Sequence, residues 1–199
     1  MSIKPSLLTP SKDNISLVIL AGGQGRRVGY QQKALIEYQG KAVLSSIIDA
    51  VNDQASRLYI NINAPESDYS DYPYPLFSDL HLGFLGPLSG MQSAWSTVST
   101  DWVVFIPCDN PWVSSELVSY LISAYQQQPA PLVVAFDGER IQPLYLLMHR
   151  SQAPKLLNAI EQSHLSVHRW IKSQVYTCAD CSVLGKQVFK NLNTLVQFT

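Results

Sequence analysis

Between Leu20 and Lys33 the chain reads Leu-Ala-Gly-Gly-Gln-Gly-Arg-Arg-Val-Gly-Tyr-Gln-Gln-Lys, at the end of the apolar run Ile15–Leu20. Four glycines within eight positions leave the backbone open to close approach by a ligand, because no Cβ stands in the way. Arg26, Arg27 and Lys33 add positive charge in or just after the loop. A strand that empties into such a turn can cradle phosphate with backbone N–H groups and neutralise it with side-chain cations. The loop matches neither common phosphate signature. Val28 stands where the dinucleotide fingerprint needs its third glycine, and the spacing does not fit the Walker pattern. Two readings follow: a different phosphate cradle with Arg27 and Lys33 facing the anion, or a plain strand–helix turn with surface cations.

Further polar side chains stand at the ends of other apolar runs. Asp109 sits between Cys108 and Asn110, just after the apolar segment 102–106. A carboxylate at the edge of a core must be solvated, paired or bound to a metal. Magnesium is commonly held by one or two carboxylates together with substrate phosphates; a turn or capping role is the plainer alternative. Asp79 follows Leu76-Phe77, and Asn61 and Asn63 close the run 58–63. Asn191 and Asn193 are two positions apart, so in an extended segment they share one face and could read polar edges of a ligand. A strand-end turn explains that pair equally well.

Two other patterns carry less. Cys178-Ala179-Asp180-Cys181 lacks a second cysteine pair for a structural zinc site, since only Cys108 remains, and it does not open a helix as a redox dithiol does. His164 and His168 are four apart on a candidate helical face, without the acidic residue that would make them a zinc-binding pair.

These residues need a scaffold that brings strand ends together. The chain has 199 residues, 46% hydrophobic and 15% charged, with a net charge of -1. That supports one well-buried domain, over 15–199, and gives no nucleic-acid-binding surface. No apolar run approaches the ~18 residues that span a bilayer. Residues 1–14 have no apolar core of a secretory signal and read as a flexible N-terminal extension. Three cysteines without such a signal point to reduced thiols in the cytoplasm.

Strands are expected at 15–20, 58–63, 76–77, 102–106, 131–136, 141–149 and 188–194. Helices are expected at 41–55, 86–98, 114–127, 153–162 and 167–173. Asp137-Gly138 signals a hairpin turn, and Gln39-Gly40-Lys41 another turn. Alternating strands and helices give an α/β fold with a mostly parallel central sheet and helices on both faces. In such sheets ligands bind outside the carboxyl ends of the strands, where the polar residues above fall.

Taken together, the motifs resemble a known family. The loop Leu20-Ala21-Gly22-Gly23-x-x-x-Arg27-x-Gly29-x-x-x-Lys33 is similar to the signature of nucleotidyltransferases with a three-layer Rossmann-like fold. Gly86-Pro87-Leu88-Ser89-Gly90-Met91, Pro107-Cys108-Asp109-Asn110-Pro111 and Asn191-x-Asn193-Thr194 narrow the resemblance to MobA-like molybdenum cofactor guanylyltransferases. The resemblance implies transfer of GMP from GTP to molybdopterin with release of pyrophosphate. It implies that Leu20, Ala21, Gly22, Gly23 and Lys33 contact GTP, that Asn61 and Asp79 contact the nucleoside, and that Arg27 lies along the triphosphate. It gives Asp109 the Mg²⁺ ion at the reacting phosphates, and makes Arg27, Lys33 and Asp109 the catalytic set. Gln142, Pro143, Asn191 and Asn193 would hold the pterin. Molybdoenzymes or their chaperones are implied as transient partners, with no nucleic acid or membrane involved.

Three departures stand out. Gln32 precedes the lysine where the family usually has Asp, Gln142 stands in place of a His before Pro143, and Leu195-Val196-Gln197 replaces a usual Pro-Glu-Glu. The alternatives are a nucleotidyltransferase using CTP or a sugar phosphate on the same fold, and a catalytically silent chaperone that binds nucleotide and pterin.

Overall fold

In order, the chain forms β1 (Ile15–Leu20), β2 (Glu37–Tyr38), β3 (Lys41–Ala42), α1 (Val43–Val51), β4 (Arg57–Asn61) and β5 (Leu76–Phe77). It continues through α2 (Pro87–Ala94), β6 (Trp102–Pro107), α3 (Leu117–Gln127), β7 (Leu132–Phe136) and β8 (Ile141–His149). It then adds α4 (Ala153–Glu161), α5 (Val167–Lys172) and β9 (Thr177–Asp180). This is a computed structural model, and it describes residues 8–23, 32–81, 83 and 85–192.

Every residue of β1 and β6 is buried, as expected of central strands covered on both faces. The side chains of β1 alternate between the two layers. Leu17 and Ile19 join Leu44, Ile47 and Val51 of α1 and Leu117 and Leu121 of α3 in one core cluster. Val18 and Leu20 join Leu88 and Met91 of α2, Leu156 and Ile160 of α4, and Trp170 of α5 in the other. Each fully buried aliphatic side chain in these layers contributes about 1.5–3 kcal/mol. The result is a helix–sheet–helix sandwich, with one apolar stripe per helix pressed onto the sheet.

The main sheet has seven strands in the order β5-β4-β1-β6-β8-β7-β9. β5, β4, β1 and β6 run parallel, β7 and β9 pair in parallel, and β8 alone runs against its neighbours β6 and β7. From β1 the chain first builds outward through β4 and β5, then returns to β1's other side as β6. Strand order therefore reverses at β1, where α/β sheets place ligands. No helix among the described residues is long and apolar enough to cross a membrane.

β8 contains an irregularity in its pairing with β7. Val134 pairs with Leu146, but Ala135 pairs with Gln142, so 143–145 bulge out of the β7 ladder. Pro143 has no N–H to donate, which is why a bulge falls there.

Several expectations need correction. The strand expected at 188–194 does not form over 188–192, and 193–194 lie outside the described residues. Val188 and Phe189 close a 3-10 turn (Lys186–Phe189), and 190–192 are irregular. The final strand among the described residues is β9, over the Cys178 segment, a short piece whose buried and exposed residues alternate. Its length and polar composition hid it. β2 and β3 form a small hairpin with Gln39 and Gly40 both at positive φ (54° and 77°), the conformation of a two-residue turn. α3 starts at Leu117, later than the serines expected to cap it, with Ser114 Oγ accepting from the Glu116 N–H at 3.1 Å. His164 lies in the turn before α5, so it shares no helix with His168.

Candidate active site

Strand register brings the candidate residues to one edge. Leu20, the last residue of β1, stands opposite Asn61 of β4 and Pro107 of β6, and Asn61 stands opposite Phe77 of β5. The segments that follow, from Ala21, Ile62, Ser78 and Cys108, leave the sheet side by side. Two ladder-like bonds extend past the strands: the Ala21 N–H donates to Asn61 C=O and the Ile62 N–H to Phe77 C=O, both at 2.8 Å.

Asn61 and Asn63 tie three of these segments together. The Asn61 amide donates to Asp79 Oδ1 at 2.9 Å. The Asn63 amide donates to Gly22 C=O at 2.9 Å, and its carbonyl accepts from the Asp79 N–H at 3.0 Å. The first loop and the Asp79 turn are thus held through the end of β4. Glycine is required on both sides of this clasp. A Cβ on Gly22 would come within 2.6 Å of Asn63 Nδ2 and 2.9 Å of Asn61 Oδ1. A Cβ on Gly90, in α2, would collide with Asn61 Oδ1. Gly23 differs, since a Cβ there would meet nothing within 4 Å among the described residues. The second glycine-rich stretch therefore serves the first: it lets α2 press against Asn61. The helix starts at Gly86 (φ 80°) followed by Pro87, a pairing in which glycine takes the left-handed turn and proline sets the first helical φ.

Lys33 and Asp109 form the charged centre. Lys33 opens a 3-10 turn (Lys33–Leu35), and its Nζ lies 3.9 Å from Asp109 Oδ2. Burial pushes the Asp109 carboxyl above its ordinary range, and the Lys33 ammonium pulls it part of the way back. The neighbouring Cys108 thiol is pushed up to about 12 by burial and by Asp109, so it stays protonated and is no nucleophile. Asp109 Oδ1 is buried and, among the described residues, has no hydrogen-bond partner. A hard cation suits an orphaned carboxylate oxygen of this kind. Among the described residues no group of three or more His, Cys, Asp or Glu side chains could hold a metal. An ion on Asp109 could share ligands with substrate and water, as Mg²⁺ sites with phosphates commonly do.

The far side of the edge is built by β7, β8 and the C-terminal segment. Gln142 donates from Nε2 to Asp137 Oδ2 at 2.5 Å, across the β7–β8 turn. Asp137 Oδ1 also accepts the N–H groups of Glu139 and Arg140, both at 2.8 Å. Pro143 starts the bulge. Asn110 is buried; its amide nitrogen donates to Tyr145 Oη at 2.7 Å and to Val188 C=O. The Leu192 N–H donates to Asp109 C=O at 2.8 Å, which draws Asn191 to the Asp109 turn.

Leu20, Ala21, Gly22, Gly23, Lys33, Asn61, Asp79, Asp109, Gln142, Pro143 and Asn191 accordingly lie along one edge of the sheet. Arg27 and Asn193 lie outside the described residues. Asn191 is not in a strand, so the shared-face argument for Asn191 and Asn193 fails on its premise. Sequence reasoning placed Asn63 beside Asn61 at a strand end without giving it a role, and left Asn110 and Tyr145 out of the site. For Asn63 the signal was present, because it follows Asn61 by two positions at a strand end. For the other two there was none, since their pairing spans two distant elements. Cys178 is exposed and Cys181 buried, and both are unpaired.

A parallel sheet edge with a glycine-lined loop, a lysine and a buried carboxylate defines a nucleotide-handling α/β domain of the nucleotidyltransferase type. Residues 17–177 match the family model of the MobA-like NTP transferase domain. The molybdenum cofactor guanylyltransferase of Shewanella sp. (strain MR-4) is 34% identical over 180 residues, covering 90% of this chain and 91% of that one. The protein of the same name from Shewanella baltica (strain OS185) is 36% identical over 180 residues, with the same coverage. The fold is shared with the molybdopterin-guanine dinucleotide biosynthesis protein A of Archaeoglobus fulgidus (TM-score 0.77, 21% identity, 92% of this chain and 94% of that one). The chain belongs to the MobA-like NTP transferase family.

Proposed function

We propose that this protein is a molybdenum cofactor guanylyltransferase: it transfers GMP from GTP to molybdopterin and releases pyrophosphate. The observation that carries the reading is the Lys33–Asp109 pair beside the Leu20–Gly23 loop, with Asp109 Oδ1 buried and, among the described residues, unpartnered. The similarity to molybdenum cofactor guanylyltransferases supports this choice of substrates.

In this reading a terminal phosphate oxygen of molybdopterin attacks the α-phosphorus of GTP. The bond from the α-phosphorus to the oxygen bridging to the β-phosphate breaks, and its electrons leave with pyrophosphate. The attacking oxygen is already anionic near neutral pH, so no general base is needed. Positioning and charge stabilisation supply the rate. The Leu20–Gly23 backbone receives the triphosphate, with its donors beyond Ala21, whose own N–H is already bonded to the Asn61 carbonyl. Lys33 offsets charge on the transferring and leaving phosphates. Asn61 and Asp79, locked to each other at 2.9 Å, present a fixed polar edge to the guanine nucleoside. Arg27 is assigned to the triphosphate by its place in the loop. Gln142, Pro143, Asn191 and Asn193 are assigned to the pterin side. Asp109 would hold Mg²⁺, which when bound neutralises phosphate charge and polarises phosphorus.

A cytoplasmic location and transient contact with molybdoenzymes or their chaperones belong to the same reading; three unpaired cysteines agree with a reducing compartment. The test is magnesium-dependent pyrophosphate release from GTP with molybdopterin as acceptor. Release with CTP and none with GTP would overturn the assignment of substrate. Binding of both substrates without release would favour a silent chaperone.

A further inference from the structure

The turn after β6 carries a residue whose bonds reach well beyond its own neighbourhood. Asn110 is 1% exposed. Its Oδ1 accepts from the Trp112 N–H at 2.9 Å, a local turn across Pro111. That bond alone would make it a turn former. Its amide nitrogen does something else: it donates to Tyr145 Oη at 2.7 Å and to the Val188 carbonyl. A primary amide has two N–H donors, and both are used on distant segments.

Those segments are the ones that lead to the pterin-side residues. Tyr145 ends the bulge that Pro143 begins, just after Gln142. Val188 stands at the close of the 3-10 turn that feeds Asn191. The two are joined again by packing, since the Tyr145 and Phe189 rings meet edge to face at 5.1 Å. The C-terminal segment then returns to the turn through the Leu192 N–H and Asp109 C=O. Asp109, Asn110, Tyr145, Phe189 and Leu192 form a closed loop of contacts. Burial keeps the Tyr145 phenol protonated and neutral, so its oxygen accepts from the amide at no charge cost.

We infer that Asn110 is a positioning residue that couples the two halves of the site, fixing the pterin-side segments 142–145 and 188–192 relative to the Asp109 carboxylate. This rests on the proposed function and goes beyond it. An in-line displacement needs the attacking phosphate aligned with the bond that breaks, so a small relative shift between halves lowers rate without removing any substrate contact. Nucleotide binding should also alter pterin binding through the same side chain, and the reverse.

Two variants of the full chain test this. Tyr145→Phe keeps the ring against Phe189 and removes one acceptor, and Asn110→Ala removes the hub. Wild type and variants are compared by kcat, by KM for each substrate, and by molybdopterin affinity with and without bound GTP in the absence of magnesium. The expected result is a fall in kcat and a rise in molybdopterin KM of about 10-fold, the order of one buried hydrogen bond, with GTP affinity nearly unchanged. The GTP-induced change in molybdopterin affinity, present in wild type, should collapse toward none in both variants. A lowered melting temperature with kcat, both KM values and the affinity change all preserved would leave Asn110 merely structural and overturn the inference. Failure of the proposed function looks different: wild type itself would release no pyrophosphate from GTP, and the inference would fall with it.

Discussion

Lys33 Nζ lies 3.9 Å from Asp109 Oδ2, although Lys33 opens a 3-10 turn, Asp109 follows the end of β6, and the two are far apart in the chain. The pair is largely shielded from water, with side-chain exposures of 20% and 17%. A cation and an anion kept this close, in a site whose proposed substrate carries several negative charges, divide the work: one meets phosphate directly, the other through a metal.

Asp109→Ala should lower kcat by about 100-fold or more, the scale seen when one electrostatic stabiliser of a transition state is removed, while GTP affinity changes little. Steady-state kinetics beside equilibrium GTP binding separates the two. An unchanged kcat would remove Asp109 from the reaction.

Lys33→Met should weaken both steps, because the ammonium meets phosphate in the ground state and in the transition state. KM for GTP should rise, and kcat should fall by about 10- to 1,000-fold. A second consequence is local: without the lysine, burial alone acts on Asp109, so its carboxyl moves further above its ordinary range. Carbon-13 NMR of the carboxylate would read that shift directly, and no upward movement would contradict the pairing.

The glycines divide by what a methyl group would meet. Gly90→Ala drives a Cβ into Asn61 Oδ1 and should destabilise the fold by about 1–3 kcal/mol, the usual cost of overpacking. Gly23→Ala meets nothing within 4 Å among the described residues, so its melting temperature should match wild type while KM for GTP rises. Thermal denaturation of both proteins is the check. A Gly90→Ala protein as stable as wild type would mean α2 does not pack on Asn61 as described.

Acid sensitivity should trace partly to Asp137. Burial opposes its ionisation, but the N–H groups of Arg140 and Glu139 and the Gln142 amide outweigh burial and hold the carboxyl below its usual range. A group with a depressed folded pKa contributes stability above its unfolded value, near pH 4, and loses it as pH falls through the folded value. Asp137→Asn should therefore lose about 1 kcal/mol at pH 7 and show a flatter stability profile below about pH 4. Denaturant melts across that range test it; parallel profiles for the two proteins would rule Asp137 out.

Much of this was legible from residues alone. The bounds of β1 and β8 follow from their apolar runs, and α1 from the spacing of Leu44, Ile47, Ile48 and Val51. The gathering of Gly22, Asn61, Asp79 and Asp109 at one edge follows from the rule that parallel strands end together. What was not legible depends on contacts between distant segments. β9 is short and polar enough to look like a loop, and it exists because β7 offers it an edge. The C-terminal segment, expected as a strand, is instead held by single hydrogen bonds to the Asp109 turn. Asn110 looked like a turn residue beside a more interesting aspartate. Its second role appears only when Tyr145 and Val188 are in place.

The most direct test of the central claim is pyrophosphate release by the purified full chain with molybdopterin and magnesium, GTP and CTP run side by side. The account predicts release with GTP, little with CTP, and near-complete loss with GTP in Asp109→Ala. Equal release from the Asp109→Ala protein, or release with CTP alone, would contradict it.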